Sequence, residues 1–406
     1  MPPSSTRIGC IWADRPFQAF SQYNTGMAQT DHFPDIHVAE DTVEKSGKVF
    51  NCQLCGECCT SVNIPIETEK SRHLLAQPWV QARLAETGLS FLQGTDDCDV
   101  LPMTSENACI FLQPDAKCMI EVHEGRSAKP EECQRFPFAS VCLPDGTTGH
   151  DISAGCKTVA EIGLQSPLPM RPGGTTDATP QSDLSIPKTI LARPGIDMTW
   201  QHYLEIQQQW LAILTNPAVT PAQGLQQVYQ QLLTFSGQNF KPTATFQFHP
   251  LADLWIPKLF LRRPYGLYSF FRLLSGRSYQ DPKVFGQVSI SLAAVEQLSW
   301  QDPAEPHDGD IILKNFIATI LQRKVLLAFG HSLLSLTAIA STAYFLVHWY
   351  AKALAHIQGN TAVTQADVVL AIRLTERYYT GHQPRFLETF RTNPWIPLMM
   401  QLMMKK

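Results

Sequence analysis

The sequence predicts an α+β fold in which a small, irregular, cysteine-rich domain precedes a mainly α-helical one. Three observations predict it. All 11 cysteines of the 406-residue chain lie at or before Cys156, four of them within Cys52-Gln53-Leu54-Cys55-Gly56-Glu57-Cys58-Cys59. Between Gly163 and Gly195 come Pro167, Pro169, Pro172, Pro180, Pro187 and Pro194 with Gly173-Gly174, a linker composition. Beyond it, apolar residues recur at helical spacing. A chain of this length exceeds one ordinary core. The expected segments are an N-terminal arm at 1–47, a cysteine-cluster domain at 48–162, a linker at 163–197 and an α-helical domain at 198–406.

The arm is polar, with Pro2, Pro3, Pro16 and Pro34 and acidic residues near 40–44. Such a composition buries too little to fix a packed structure. Its short apolar run, Ile8 to Ala13, is cut off by Asp14 and Arg15, so no signal peptide is read there and a cytoplasmic location is expected. Cys10 is taken as a bystander.

Thiols this dense call for a metal. Soft thiolates at C-x-x-C spacing reach one Zn²⁺ or adjacent corners of an iron–sulfur cluster, and Gly56 lets the backbone turn tightly. Disulfides are the rival reading, but vicinal Cys58 and Cys59 would make a strained bridge. Cys109, Cys118, Cys133 and Cys156 follow among bulky apolar residues, as in Cys109-Ile110-Phe111-Leu112 and Cys133-Gln134-Arg135-Phe136-Pro137-Phe138. The expected metal ligands are therefore Cys52, Cys55, Cys58, Cys59, Cys109, Cys118, Cys133 and Cys156. Two four-thiolate sites, one iron–sulfur cluster beside one zinc, or one site with spare ligands all satisfy this set. Cys58 and Cys59 point apart in an extended chain and can serve different sites. Cys98, between Asp97 and Asp99, is left out because those carboxylates disfavour its thiolate. Cys142 is marginal. Between ligands, Ser61 to Ile66 alternates like a short strand, and a helical stretch runs from Thr68 to about Glu86. His73 on that polar helix reads as a solvated histidine.

At these residues the chain resembles the YkgJ-type cysteine-cluster family, described as zinc- or iron-chelating. Its C-x-x-C-x-x-C-C, C-x-F-L, C-x-I and P-x-x-C-x-x-F-P elements are present in order across about residues 48–160, with Cys156 where the family often carries one further cysteine. The run from Val122 to Pro130 looks longer than the family's. The resemblance implies bound zinc or an iron–sulfur cluster, of the four-iron type among others. A more distant likeness is to the flagellin lysine-N-methylase family, which pairs such a cluster with a helical remainder. It implies methyl transfer from S-adenosylmethionine to protein lysines. A third reading is a non-catalytic scaffold folded by zinc.

Past the linker, Trp200, Tyr203, Leu204, Trp210, Leu211 and Leu214 mark one helix, Thr220-Pro221 opens another to about Phe235, and a further helix is expected near 284–298. The glutamine runs at 207–209, 226–227 and 230–231 are expected to face water. Asp308-Gly309-Asp310 precedes a long helical segment to about Ala355, kinked at most around Gly330. No Asp, Glu, Lys or Arg occurs from Val325 to Ala351, long enough to cross a bilayer. Its histidines and hydroxyls favour a buried core helix, with His331 and His348 as hydrogen-bonded core residues. Thr364 and Asp367 form a capping box for a last helix that stops at Gly381, with an apolar face of Val368, Val369, Ile372 and Leu374. Arg373, Glu376 and Arg377 read as surface or inter-helix ion pairs, a group also able to grip an anion. The methionine-rich run at 399–404 reads as helix packing.

A net charge of −4 with no lysine/arginine block supplies no electrostatic reason to bind nucleic acid, and no nucleic-acid partner is expected. A protein partner or substrate is left open, and a membrane enters only through 325–351. No nucleophile elbow, zincin helix, phosphate loop or dinucleotide fingerprint is present, and no residue is assigned a catalytic role.

Overall fold

The computed structural model describes residues 49–60, 64–93, 98–106, 108–166, 171–172, 184–193, 195–235, 295, 297–302, 304, 307–381, 387–388 and 390–391. The expected N-terminal arm, Cys10, most of the helix near 284–298 and the methionine-rich run lie outside these residues. Helices and small antiparallel sheets make up the fold, so the mixed α+β class holds. Two compact units are present. The described part of one is drawn from Val49, Cys59–Gln113 and Cys118–Gln134, that of the other from Phe50–Cys58, Pro114–Lys117 and the residues after Gln134.

A two-residue strand, β1 (Val49–Phe50), opens the described chain. In the first unit, β2 (Pro65–Glu67), β3 (Leu92–Gln93) and β4 (Cys98–Val100) form an antiparallel sheet in the order β2-β4-β3, with Ile66 opposite Asp99. The helical stretch expected to reach Glu86 is two helices, α1 (Thr68–Leu75) and α2 (Pro78–Thr87). Pro78 has no N–H to continue α1, and its fixed φ suits the first turn of α2. Short helices α3 (Met119–Glu124) and α4 (Glu131–Arg135) complete this part. Ile64, Ile66, Leu74, Val80, Leu101, Ile110, Phe111 and Ile120 make one buried core.

In the second unit, β5 (Phe138–Cys142) and β6 (Thr148–Ile152) pair as a hairpin, followed by α5 (Lys157–Glu161) and the two-residue β7 (Arg171–Pro172). Part of the expected linker is ordered structure. β8 (Thr189–Arg193) and β9 (Ile196–Thr199) form a hairpin, and Ile190 and Ala192 are buried in the main core. Helix α6 (Trp200–Thr215) is capped by Thr199, and α7 (Pro221–Phe235) starts at Thr220-Pro221 as expected. Tyr203, Ile206, Trp210 and Leu214 are buried at helical spacing, whereas Gln208, Gln209, Gln227 and Gln230 are exposed.

The long segment expected from Asp308 is three helices, α8 (Gly309–Leu321), α9 (Lys324–Ala328) and α10 (Leu333–Ile357). The break after α8 has a tertiary cause. The buried Asp151 carboxylate on β6 accepts the N–H groups of Lys324 at 3.0 Å and Val325 at 2.7 Å, and so starts α9 afresh. The next break contains Gly330, whose φ of +80° is left-handed. Helix α10 is long and apolar enough to cross a membrane, and 78% of its apolar window is buried inside the protein. His331 is buried and hydrogen-bonded to Ser335 at 3.0 Å, while His348 stacks on Trp300 with ring centroids 3.8 Å apart. Helix α11 (Gln365–Thr375) begins in the expected capping box of Thr364 and Asp367 and widens into a π-helical turn at Glu376–Thr380.

Candidate metal centre

The first motif is a curled loop. Leu54 at φ +50° and Gly56 at φ +70° are both left-handed, a reversal that bends the chain twice between Cys52 and Cys58. Gly56 is buried, while Cys52, Cys55 and Cys58 are exposed. Desolvation, then the nearby Cys58 and Cys52, push the Cys55 thiol up, and Lys157 and Arg373 pull it down. Cys156 joins this group from the N-cap of α5. Burial raises its thiol to about 11, with Cys55 and Cys58 adding to the rise and the N–H groups of Val159 and Thr158 opposing it. Cys156 also packs with Phe50, Phe138, Ile152 and Val159. Phe50 and Phe138 meet edge to face at 5.5 Å.

The loop is gripped from the far end of the chain. Glu57 pairs with Arg373 of α11, and with Lys157 at 3.6 Å. Arg377, in the π-helical turn, donates to the Glu57 carbonyl at 3.2 Å. A π turn carries an extra residue per bond and so displaces side chains from ordinary helical register. Behind it, both carboxylate oxygens of the buried Glu376 accept from Nη2 of Arg323 at 2.6 and 2.7 Å, while Nη1 donates to the Thr380 carbonyl, and the Thr380 hydroxyl at 2.5 Å and Ser153 at 3.1 Å donate to the same carboxylate. Of the two expected kinds of ion pair, surface or between helices, Arg373 and Glu376 make buried pairs between separate elements and not surface ones. Arg373 is 9% and Glu376 1% exposed, because both lie between α11 and the loops beneath it rather than on an outer face.

The other four expected ligands belong to the first unit. Cys59 accepts, through its carbonyl, the N–H of Cys109 at 2.7 Å, which ties the end of the first motif to the second. The turn from Cys109 to Leu112 places Leu112 opposite Cys118. Cys133 sits on α4, which is held by Glu67 accepting the Glu131 N–H at 3.2 Å. Cys109 is buried in the core of this unit, and Cys59, Cys118 and Cys133 pack against it. Lys129 lies beside them. Burial works against its charge, yet Glu121, at 2.7 Å, with Cys118 and Cys133, holds its pKa above the ordinary value.

The eight expected ligands thus fall into two neighbourhoods, Cys52, Cys55, Cys58 and Cys156 in one unit and Cys59, Cys109, Cys118 and Cys133 in the other. As chemistry, four thiols apiece fit zinc or an iron–sulfur cluster. As positions, they are not closed coordination shells: among the described residues no three Cys, His, Asp or Glu side chains form a group able to hold a metal ion. Cys142 stands apart on β5, its thiol directed at the Leu143 carbonyl at 3.7 Å. Cys98 is buried on β4 and is not one of the free thiols. His73 is exposed on α1 with Glu124 at 3.5 Å, in line with a solvated histidine. What motif reading missed is the Glu57 clamp; the acidic residue inside the thiol run was its only local signal. No protein-family model, curated protein or solved structure matches this chain.

Proposed function

We propose that this chain is a metal-binding cysteine-cluster protein of YkgJ type, with Cys52, Cys55, Cys58 and Cys156 as one ligand set and Cys59, Cys109, Cys118 and Cys133 as the other. The observation that supports it is this four-and-four sorting, with adjacent Cys58 and Cys59 assigned to different units. Zinc closed by four thiolates has no open position and would act as a staple, whereas an iron–sulfur centre would add electron transfer. The residues around the thiols would serve either ion: apolar neighbours shield the set around Cys109, and Lys157, Arg373 and Lys129 offset the negative charge that four thiolates bring. A reducing cytoplasm would keep the thiols available.

The test is anaerobic purification without chelator, followed by metal analysis and a visible spectrum. Stoichiometric zinc in colourless protein, or brown protein containing iron and sulfide, supports the reading. Protein that holds neither metal overturns it.

A further inference from the structure

The two cysteine sets differ in exposure: three of the four thiols are exposed in one, and none in the other. In the first unit, Cys109 is 5% exposed and embedded among Ile110, Phe111 and Ile120, with its three companions packed on the same core. Removing an ion there requires opening that core. In the second unit, Cys52, Cys55 and Cys58 are exposed on a loop whose backbone is bent by Leu54 and Gly56. That loop is restrained by side chains: the Glu57 carboxylate on Arg373 and Lys157, and the Glu57 carbonyl on Arg377. Breaking those contacts frees Cys52, Cys55 and Cys58 without opening a hydrophobic core, while Cys156 alone stays packed with Phe50 and Val159.

We infer that the two sets are unequal centres: Cys52, Cys55, Cys58 and Cys156 form the exchangeable one, latched by Arg373 through Glu57, and Cys59, Cys109, Cys118 and Cys133 form the structural one. This rests on the metal-binding reading above and adds to it an order of release and a residue that sets it. Arg373 is a positioning residue. It pairs with Glu57 and is further fixed by burial, and its charge also acts on the nearby Cys55; Arg373→Lys, which keeps the charge, separates the two effects. Partners of this kind around a metal site typically change affinity by about tenfold to a hundredfold when removed.

The experiment uses the full-length protein as purified, with metal content measured first. A chelator is added together with a thiol-alkylating reagent, and mass spectrometry maps the modified cysteines over time. The expected result is loss of half the metal with labelling of Cys52, Cys55, Cys58 and Cys156, about tenfold or more ahead of the other four. Arg373→Gln, and the milder Arg373→Lys, are expected to speed the first phase and leave the second unchanged. Simultaneous labelling of both sets, earlier labelling of Cys59, Cys109, Cys118 and Cys133, or a first phase indifferent to Arg373, overturns the inference while the metal-binding reading stands. Protein without metal at the outset overturns both.

Discussion

Arg373, in the last turn of α11, forms an ion pair with Glu57, the single acidic residue inside the first cysteine motif. The pair fastens the C-terminal helical elements to a loop at the front of the described chain. Its Arg373 partner is largely desolvated, and the Nε atom of that side chain already lacks a hydrogen-bond partner.

Glu57→Gln leaves that guanidinium without its counter-charge. Removing one partner of a buried pair is costly, and partial exposure of Glu57 reduces the effect. The expected loss is about 1–3 kcal/mol in urea denaturation. Lys157→Gln, which removes the longer and more exposed contact at 3.6 Å, is expected to cost less.

Arg323 and Glu376 form a buried pair within the second unit, Nη2 of the guanidinium reaching both carboxylate oxygens. Glu376→Ala should destabilise by about 3–5 kcal/mol, because it strands the Arg323 charge and also deprives Thr380 and Ser153 of their acceptor. Ser153→Ala, which removes only one neutral donor, should cost about 1 kcal/mol. Denaturation midpoints for the two variants check the ranking.

His331 gives the stability a pH dependence. Burial, with Arg391 adding and Glu388 opposing, lowers its pKa from 6.5 to about 4. The folded protein thus holds this ring neutral where the unfolded chain would protonate it. Its contribution is complete above pH 6.5 and falls by up to about 1.4 kcal/mol per pH unit as pH drops from 6.5 to about 4, below which both states bind the proton. Denaturation at pH 7 and pH 5 should show the slope, and His331→Asn should flatten it.

Thr364 and Asp367 cap α11 reciprocally, the Thr364 N–H reaching Asp367 at 2.9 Å and the Asp367 N–H reaching Thr364 at 3.3 Å. Thr364→Ala is expected to cost about 1 kcal/mol. The double variant with Asp367→Ala should cost less than the sum of the singles, since each removes part of the same box.

Much of the helical architecture is legible in the sequence because its signals are local. Thr220-Pro221 and Thr364 with Asp367 set helix starts through contacts three residues long, and Tyr203, Ile206, Trp210 and Leu214 repeat at the helical period. What is not legible depends on distant partners. The restart at Lys324 needs Asp151, and the burial of Arg373 and Glu376 needs Glu57, Arg323 and Ser153. Spacing alone also leaves the partners of each cysteine open, since neighbours such as Cys58 and Cys59 fall into different units.

The central claim is that eight cysteines make two separate four-thiolate sites, and intact-protein mass spectrometry under native conditions, combined with metal analysis, tests it most directly on wild type, Cys55→Ser and Cys118→Ser. The account predicts two metal centres in the wild type, loss of one in Cys55→Ser, and loss of the other in Cys118→Ser. A wild-type protein with no bound zinc or iron, or variants that each lose both centres together, would contradict it.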